Sequence, residues 1–522
     1  MKLAIVALAL ALVPVQGIAG KPNGKPNVIV ILADDLGYGD VRCNNADSKI
    51  ATPNLDRIAK EGMRFTNAHS SSGVCSPSRY SLLTGRYHWR SRLQSGVLGG
   101  FSLPLISRDR LTLAGLLAGQ GYDTACFGKW HLGMEWPLKG GGVADDADEF
   151  NKPFQDANLV DYTAPIRNGP VERGFDHYYG ISASLDMFPF VWIRDRLPTE
   201  VASVEKTWVR TGPAGPSFEA VDVQPGITRA LLNYLGERSS EAKANRPFFA
   251  YVPLAAPHTP IVPTPEFQGK SGINDYADFV MQVDADVGRI LAALDEEGLS
   301  ENTILVFTSD NGCSPRAELE TLAAAGHHPS FCYRGFKADL YEGGHRVPFL
   351  VRWPANVKAN TVADALVGQI DLLATMADLS GTDLPEDAGE DSISFLPVLL
   401  GQGKGSRSSI VSQSINGSFA IRDGAWKLLL CPGSGGWSFP KPGVDDISGM
   451  PEFQLYDLAT DPGEKRNLVG EHADRVARMK GMIEEAIRRG RTTSGGDLTN
   501  DVEVAMIKPL PPMKPKKKGK QK

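Results

Sequence analysis

The sequence predicts an α/β fold: a large, mixed, mostly parallel sheet sandwiched by helices, with a smaller C-terminal α+β subdomain that contains an antiparallel sheet. Three observations carry this. Runs such as Asn27–Ala33 and 303–308 are continuously apolar and rich in β-branched residues, the pattern of strands buried on both faces. Helical patterns alternate with these runs, which implies right-handed crossovers and helices on both sides of one sheet. Near residue 400 the composition changes to a Gly/Ser/Lys linker, 401–409, followed by hairpin signals.

The elements follow in order. The first strand ends abruptly in Asp34-Asp35, two adjacent carboxylates that repel each other unless a cation lies between them. Thr52 to Gly62 reads as a short amphipathic helix with a cap, Pro53 at its start and Gly62 at its end. The stretch Cys75-Ser76-Pro77-Ser78-Arg79 reads as a helix start, with Ser76 as cap, Pro77 in the first helical position and Gly85 at the stop. Arg79, four residues on, is expected to fold back toward Cys75 at the positive end of that helix, where an anion is welcome. On its own the stretch reads equally as a half-cystine or a buried thiol. A strand over 122–127 ends in Gly128-Lys129-Trp130-His131, and one over 246–252 runs out to Ala256-Pro257-His258. A long amphipathic helix spans 276–294, and the strand 303–308 ends in Ser309-Asp310-Asn311-Gly312. Residues 138–170 read as an irregular loop and 198–226 as an insertion of the kind that shapes a substrate entrance. A hairpin turning at Asp423-Gly424, a strand over 454–458 and a helix over 471–489 complete the chain.

The chain has 522 residues, enough for more than one unit. The predicted division is a secretory signal over 1–20, a catalytic domain over 25–400, a C-terminal subdomain over 401–508 and a disordered basic tail over 509–522. The signal rests on Met1-Lys2, the apolar run 3–13 and small residues at Gly17, Ala19 and Gly20. That run is too short to span a bilayer, so an exported protein, secreted or periplasmic, is expected with no membrane span. A net charge of −6 gives no electrostatic case for nucleic acid. Of the six cysteines, Cys313 and Cys332 bracket one loop and are the first candidate pair for a disulfide.

In open parallel sheets the ligand site lies beyond the carboxyl ends of the strands. Four strands here end in Asp-Asp, Lys-Trp-His, Pro-His and Asp-Asn, so these groups are expected along one edge beside the Cys75 helix. Asp34, Asp35, Asp310 and Asn311 offer only oxygen ligands, which suits calcium or magnesium and not zinc. Arg79, Lys129 and Lys337 supply fixed positive charge for a tetrahedral oxyanion, and His131 and His258 are the proton carriers near neutral pH. Glu342 reads as a structural hydrogen-bond partner and His345 receives no role. His327, His328, Trp437 and Arg90 are candidates for substrate contact.

At this point the chain resembles the type I sulfatases, a formylglycine-dependent family with an alkaline-phosphatase-like fold. The resemblance is carried by Cys75-x-Pro77-Ser78-Arg79 with Leu83-Thr84-Gly85-Arg86, and by Gly128-Lys129-Trp130-His131-Leu132-Gly133. It runs from Pro26 to about Leu468 and includes Asp34-Asp35-Leu36-Gly37, Ser309-Asp310-Asn311-Gly312, Tyr341-Glu342-Gly343-Gly344 and Leu455-Tyr456-Asp457-Leu458. The resemblance implies that a maturase oxidises Cys75 to formylglycine, whose hydrate attacks the sulfur of a sulfate ester and then expels sulfate. It implies a calcium site made by Asp34, Asp35, Asp310, Asn311 and the modified Cys75. It further implies that Arg79 and Lys129 stabilise the formylglycine, that His131 is the base for elimination, that His258 lies near the leaving oxygen and that Lys337 grips sulfate. Ser184 matches a position that touches sulfate, so Ser184, Lys129, His258 and Lys337 form the implied substrate-binding set. The implied substrate is a sulfated carbohydrate, and stretches around Asp186, Cys431 and His327 resemble those of galactose- or N-acetylgalactosamine-6-sulfatases. Two rival readings stand beside this one: a formylglycine-dependent phosphodiesterase or phosphonate hydrolase of the same superfamily, and a catalytically silent sulfated-glycan-binding protein.

Overall fold

The computed structural model describes residues 24–147, 157–509 and 512–513. The signal over 1–20 and nearly all of the basic tail over 509–522 lie outside the described residues, as does 148–156 of the loop expected at 138–170.

Among the described residues a ten-stranded sheet forms the centre. Its five middle strands are all parallel and run in the order Thr303–Ser309, Asn27–Ala33, Phe248–Pro253, Asp123–Lys129 and His177–Ile181. Every residue of Asn27–Ala33, Phe248–Pro253 and Thr303–Ser309 is buried, as their unbroken apolar runs require when both faces are covered. Antiparallel strands flank this block, with Phe349–Arg352 on one side and Ile193–Arg194 on the other. One helix group joins Pro53–Glu61, Val223–Lys243 and Asp275–Glu296, and a second joins Cys75–Thr84, Leu113–Gly119 and Leu372–Ser380. Together they enclose one continuous apolar core.

The 401–409 linker gives way at Ser409 to the first of four antiparallel strands, Ser409–Gln413, Phe419–Asp423, Trp426–Leu429 and Gln454–Asp457. Helix Ala473–Arg489 packs its Met479 and Ile483 on this sheet, in a cluster that also takes Tyr87 and Trp89 from beyond the Cys75 helix. The small sheet also grips the approach to Cys75. Gln413 accepts from Gly73 N at 3.1 Å and donates its own N–H to Ser71 O at 3.1 Å. The insertion expected at 198–226 contains a hairpin, Val204–Trp208 with Arg210–Ala214.

Two expectations are corrected. Ser76 does not cap its helix: the helix begins at Cys75 with Val74 before it, and Ser76 Oγ accepts instead from Leu98 N at 3.2 Å. Pro77 is still tolerated there because the first four N–H groups of a helix have no intrahelical partner. Gly85 does close the helix, in the left-handed conformation at φ 63°. The second correction concerns Cys313 and Cys332, which are both free thiols. Cys313 is buried behind the Asp310 loop while Cys332 is exposed, so the two do not meet.

Candidate active site

The sheet brings the chemistry-bearing strand ends to one edge. Asp34 and Asp35 follow the central strand, Asp310 and Asn311 its neighbour on one side, and His258 its neighbour on the other; Lys129 and Ser184 come from the next two strands. The carboxylates of Asp34 and Asp35, the Cys75 thiol and the His258 ring present ligand atoms within 4.8 Å of one another. All four residues are at most 9% exposed. Cys75 stands at the first position of a helix whose ten residues are all buried. Its Sγ lies 3.7 Å from Asp34 Oδ1 and 3.7 Å from Lys337 Nζ.

Three cations meet three carboxylates around this centre. Lys129 Nζ donates to Asp34 Oδ2 at 2.6 Å, and Lys337 Nζ lies 2.7 Å from Asp35 Oδ1. Arg79 does not fold back onto Cys75. Its Nη2 and Nε donate to Asp310 Oδ2 at 2.8 and 3.1 Å and its Nη1 to Lys129 O at 2.9 Å, because a buried guanidinium is best satisfied by a forked pair with a carboxylate. Burial raises the proton affinity of Asp34, but Lys129, His258, Arg79 and Lys337 outweigh it and hold the carboxyl well below the usual range. Asp310 goes the other way: burial, and then repulsion from Asp34, push it up to about 7. Burial opposes the charge on Lys337, yet Asp35, Cys75 and Asp34 keep its ammonium well above the ordinary lysine range.

These residues fit a hard divalent cation. The donors are all oxygen, three carboxylates are buried together, and Asn311 Oδ1 is buried without a hydrogen-bond partner. Asn311 is oriented by donating Nδ2 to Asp35 Oδ1 at 2.7 Å, which leaves that oxygen for a ligand. The loop itself is locked: Gly312 N donates to Gly344 O at 2.9 Å, and a Cβ on Gly312 would meet Gly343 O at 1.9 Å.

The two histidines are poised differently. His131 Nε2 lies 2.8 Å from the Leu98 carbonyl, so it must carry the proton, and Nδ1 keeps a lone pair with no partner. Burial, with Lys129 and Arg79, lowers His131 well below the ordinary histidine range, so the ring is neutral. His258 is lowered as well, by burial first and then by Lys337. Its Nε2 sits 3.6 Å from Asp35 Oδ2, and Ser184 Oγ bridges to Lys129 Nζ at 3.4 Å.

Cys75, His131, Ser184, His258 and Lys337 all open on one cavity of about 460 Å³, within the size range of small-ligand sites. Trp437 from the C-terminal unit also lines it, as expected, whereas the other candidates for substrate contact do not. His327 is buried on Asp40 Oδ1 at 2.7 Å, and Arg90 is buried in a forked pair with Asp391. Glu342 and His345 are buried in a separate network with Lys427, as a structural role for Glu342 requires. Sequence reasoning singled out the stretch around Asp186 without giving that residue a role, and it missed the ion-pair partner Arg210, which lines the cavity with it, and also Arg316, Ile415 and Lys441. Asp186 was within reach, two residues past Ser184. The others stand in loops with no periodic signal.

The sulfatase family profile matches residues 26–382. This chain belongs to the sulfatase family. It is 35% identical to an N-acetylgalactosamine-6-O-sulfatase of Bacteroides thetaiotaomicron, over 91% of this chain and 96% of that one. It is 32% identical to human arylsulfatase A, over 85% and 83%. A solved Bacteroides thetaiotaomicron protein, described under the metabolism of multiple glycosaminoglycans, superposes with a TM-score of 0.75 at 33% identity, over 89% of this chain and 99% of that one. The protein is therefore a sulfuric ester hydrolase on an alkaline-phosphatase-like fold.

Proposed function

We propose that this sulfatase removes the 6-sulfate from N-acetylgalactosamine or galactose in a sulfated carbohydrate, using formylglycine made from Cys75 by a maturase, and calcium. The observation that carries the reading is Cys75 itself, at a buried helix start between Asp34 and Lys337 and open to the cavity. Burial pushes its thiol up to about 12 even against Lys129 and Lys337. A thiol so protonated at neutral pH is a poor nucleophile, which favours conversion to another group. As an aldehyde hydrate the residue supplies two hydroxyls, one to attack sulfur and one to release sulfate by elimination, which a simple serine ester cannot do. Calcium held by Asp34, Asp35, Asp310 and Asn311 would supply Lewis-acid charge for the reacting oxygens.

The chain's own residues provide the rest. Lys129 and Lys337 stand on the two adjacent carboxylates to meet the sulfate oxygens, and Ser184 is within reach of both Lys129 and His258. Neutral His131, with Nε2–H fixed on Leu98 O, offers its unpartnered Nδ1 lone pair as base. His258 lines the cavity beside Asp35, placed to hydrogen-bond the oxygen of the departing alcohol. Arg79 pins Asp310 and the Lys129 backbone and so orients the donors. The Asp186–Arg210 pair on the cavity wall suits sugar hydroxyls, which need both an acceptor and a donor. The division at residue 400 is retained, with the C-terminal unit contributing Trp437. Among the described residues no helix is long and apolar enough to cross a membrane.

The test is peptide mass spectrometry across Cys75 together with sulfate release from a panel of sulfated sugars. The expected result is an aldehyde or its hydrate at position 75 and release from the 6-sulfated galacto sugars. A plain thiol there, in protein made in its own host, would remove the mechanism. Release only from some other sulfate position would remove the substrate.

A further inference from the structure

The cavity carries more positive charge than one sulfate requires. Four of its lining residues are permanent cations, Arg210, Arg316, Lys337 and Lys441, against a single lining carboxylate, Asp186. Two of these cations are spoken for: Arg210 is paired with Asp186, and Lys337 lies on Asp35 beside Cys75. Arg316 and Lys441 have no ion-pair partner among the described residues, although the chain as a whole is acidic, with a net charge of −6. Their excess is a property of the cavity wall and not of the molecule's average surface.

Both cations are carried on fixed backbone. Arg316 follows the Asp310 loop in a short turn in which its N–H donates to Ser314 Oγ at 3.2 Å. Lys441 ends the loop that holds Trp437. That loop is docked by Asp339, which accepts from Trp437 N at 2.7 Å and Ser438 N at 3.0 Å, and by Ser434 N donating to Pro440 O at 2.9 Å. Asp445 accepts from the Lys441 backbone N–H at 2.7 Å, but its carboxylate makes no ion pair with the ammonium. The two charges come from loops far apart in sequence and line the same cavity as Trp437, Arg316 exposed at its side and Lys441 half-buried. A guanidinium and an ammonium without ion-pair partners, lining one cavity with an indole, suit an acidic sugar, whose ring can pack on the indole and whose acid can meet the cations.

We infer that Arg316 and Lys441 form a second anion subsite, so that this enzyme is selective for oligosaccharides in which the residue next to the sulfated sugar carries its own negative charge, as a uronate carboxylate or a second sulfate. This rests on the sulfated-carbohydrate reading above and specifies the substrate class of that same site. Because the contacts of Cys75 and Lys337 are made with Asp34, Asp35 and each other and not with these two cations, Arg316 and Lys441 act on substrate affinity and leave the chemical step alone.

The test measures binding to the Cys75→Ala protein by calorimetry, where no turnover intervenes. The ligands are three disaccharides sharing one 6-sulfated N-acetylgalactosamine, with a neutral, a uronate or a sulfated neighbour. The acidic neighbours are expected to bind about tenfold more tightly than the neutral one, the scale of one charge-assisted contact. Raised salt and the R316A/K441A double substitution should each erase that difference. In the otherwise unmodified enzyme, the same double substitution should raise KM for the acidic disaccharides and leave kcat, and turnover of the 6-sulfated monosaccharide, unchanged. A larger gain from the uronate than from the sulfate, or the reverse, identifies the natural acid. Equal affinity for all three ligands, or a preference that survives the double substitution, overturns the subsite. The parent reading fails separately, by the absence of sulfate release from 6-sulfated galacto sugars.

Discussion

Two buried charge clusters in this protein look alike on paper and behave differently. In the active site Asp34, Asp35 and Asp310 face Arg79, Lys129 and Lys337. Beyond the Tyr341-Glu342-Gly343-Gly344 corner, Glu342 and Glu464 face Lys427, Arg346 and Arg422, with His69 and His345 alongside. Either group could hold a metal by ligand count alone. The second is closed on itself by ion pairs: Lys427 Nζ reaches Glu342, Glu464 and His345 within 3.0 Å, and Arg346 takes the other Glu342 oxygen at 3.0 Å. Its histidines are driven down by burial, His345 to about 3, so they stay neutral beside three cations. Each cluster holds one carboxyl raised to about 7, Asp310 in the first and Glu464 in the second, but the first also keeps an unpartnered Asn311 oxygen and opens on a cavity. Equal ingredients make a clamp where the charges close on one another in the interior and a reaction centre where a cavity reaches them.

The comparison breaks most sharply at Cys75. Cys75→Ala should lower sulfate release by at least about 10³-fold while the circular dichroism spectrum and Tm stay near those of the parent. A variant that retained turnover would move the chemistry elsewhere. Lys427→Met does the reverse, stranding Glu342 and Glu464 in the interior. It should cost about 3–5 kcal/mol of stability in denaturant unfolding, with the loss appearing before any change in KM.

Smaller effects separate the clusters by what they bind. Calcium at about 100 times its Kd should stabilise the parent by about 2.7 kcal/mol, read as a rise in Tm. Asp310→Asn should abolish that rise, and Glu342→Gln, whatever its cost in baseline Tm, should leave it in place. If Glu342→Gln abolished it instead, the assignment of the two clusters would be reversed.

The smallest effect is a pH slope. His345 has a folded pKa near 3, below the unfolded value of about 6.5, so the unfolded chain binds the extra proton between those limits. The stability this contributes is present above about pH 6.5 and is lost as pH falls toward 3, by about 1.4 kcal/mol per pH unit in mid-window. His345→Asn should flatten the fall of Tm with acid by that one group, and an unchanged slope would mean that His345 is charged in the fold.

Much of this architecture was legible in the chain. Asn27–Ala33 and Thr303–Ser309 are so uniformly apolar that only a doubly covered parallel strand accommodates them, and polar residues at their ends must then share an edge. The pairings were not legible. Arg79 chose Asp310 over Cys75, and Ser76 left its capping position for Leu98, because partners distant in sequence competed with local ones.

By itself, then, the sequence determined which groups would gather: the strand ends carrying Asp34, Asp35, Lys129, His258, Asp310 and Asn311, and the helix that begins at Cys75. Period and composition are local properties and reach that far. Tertiary structure alone decided which cation answers which acid, which nitrogen of His131 is left as a base, and that Arg316 and Lys441 line the cavity. Those outcomes depend on loops that carry no repeating pattern. They are fixed only when the two units pack and each buried charge must find a partner or be left open to a ligand.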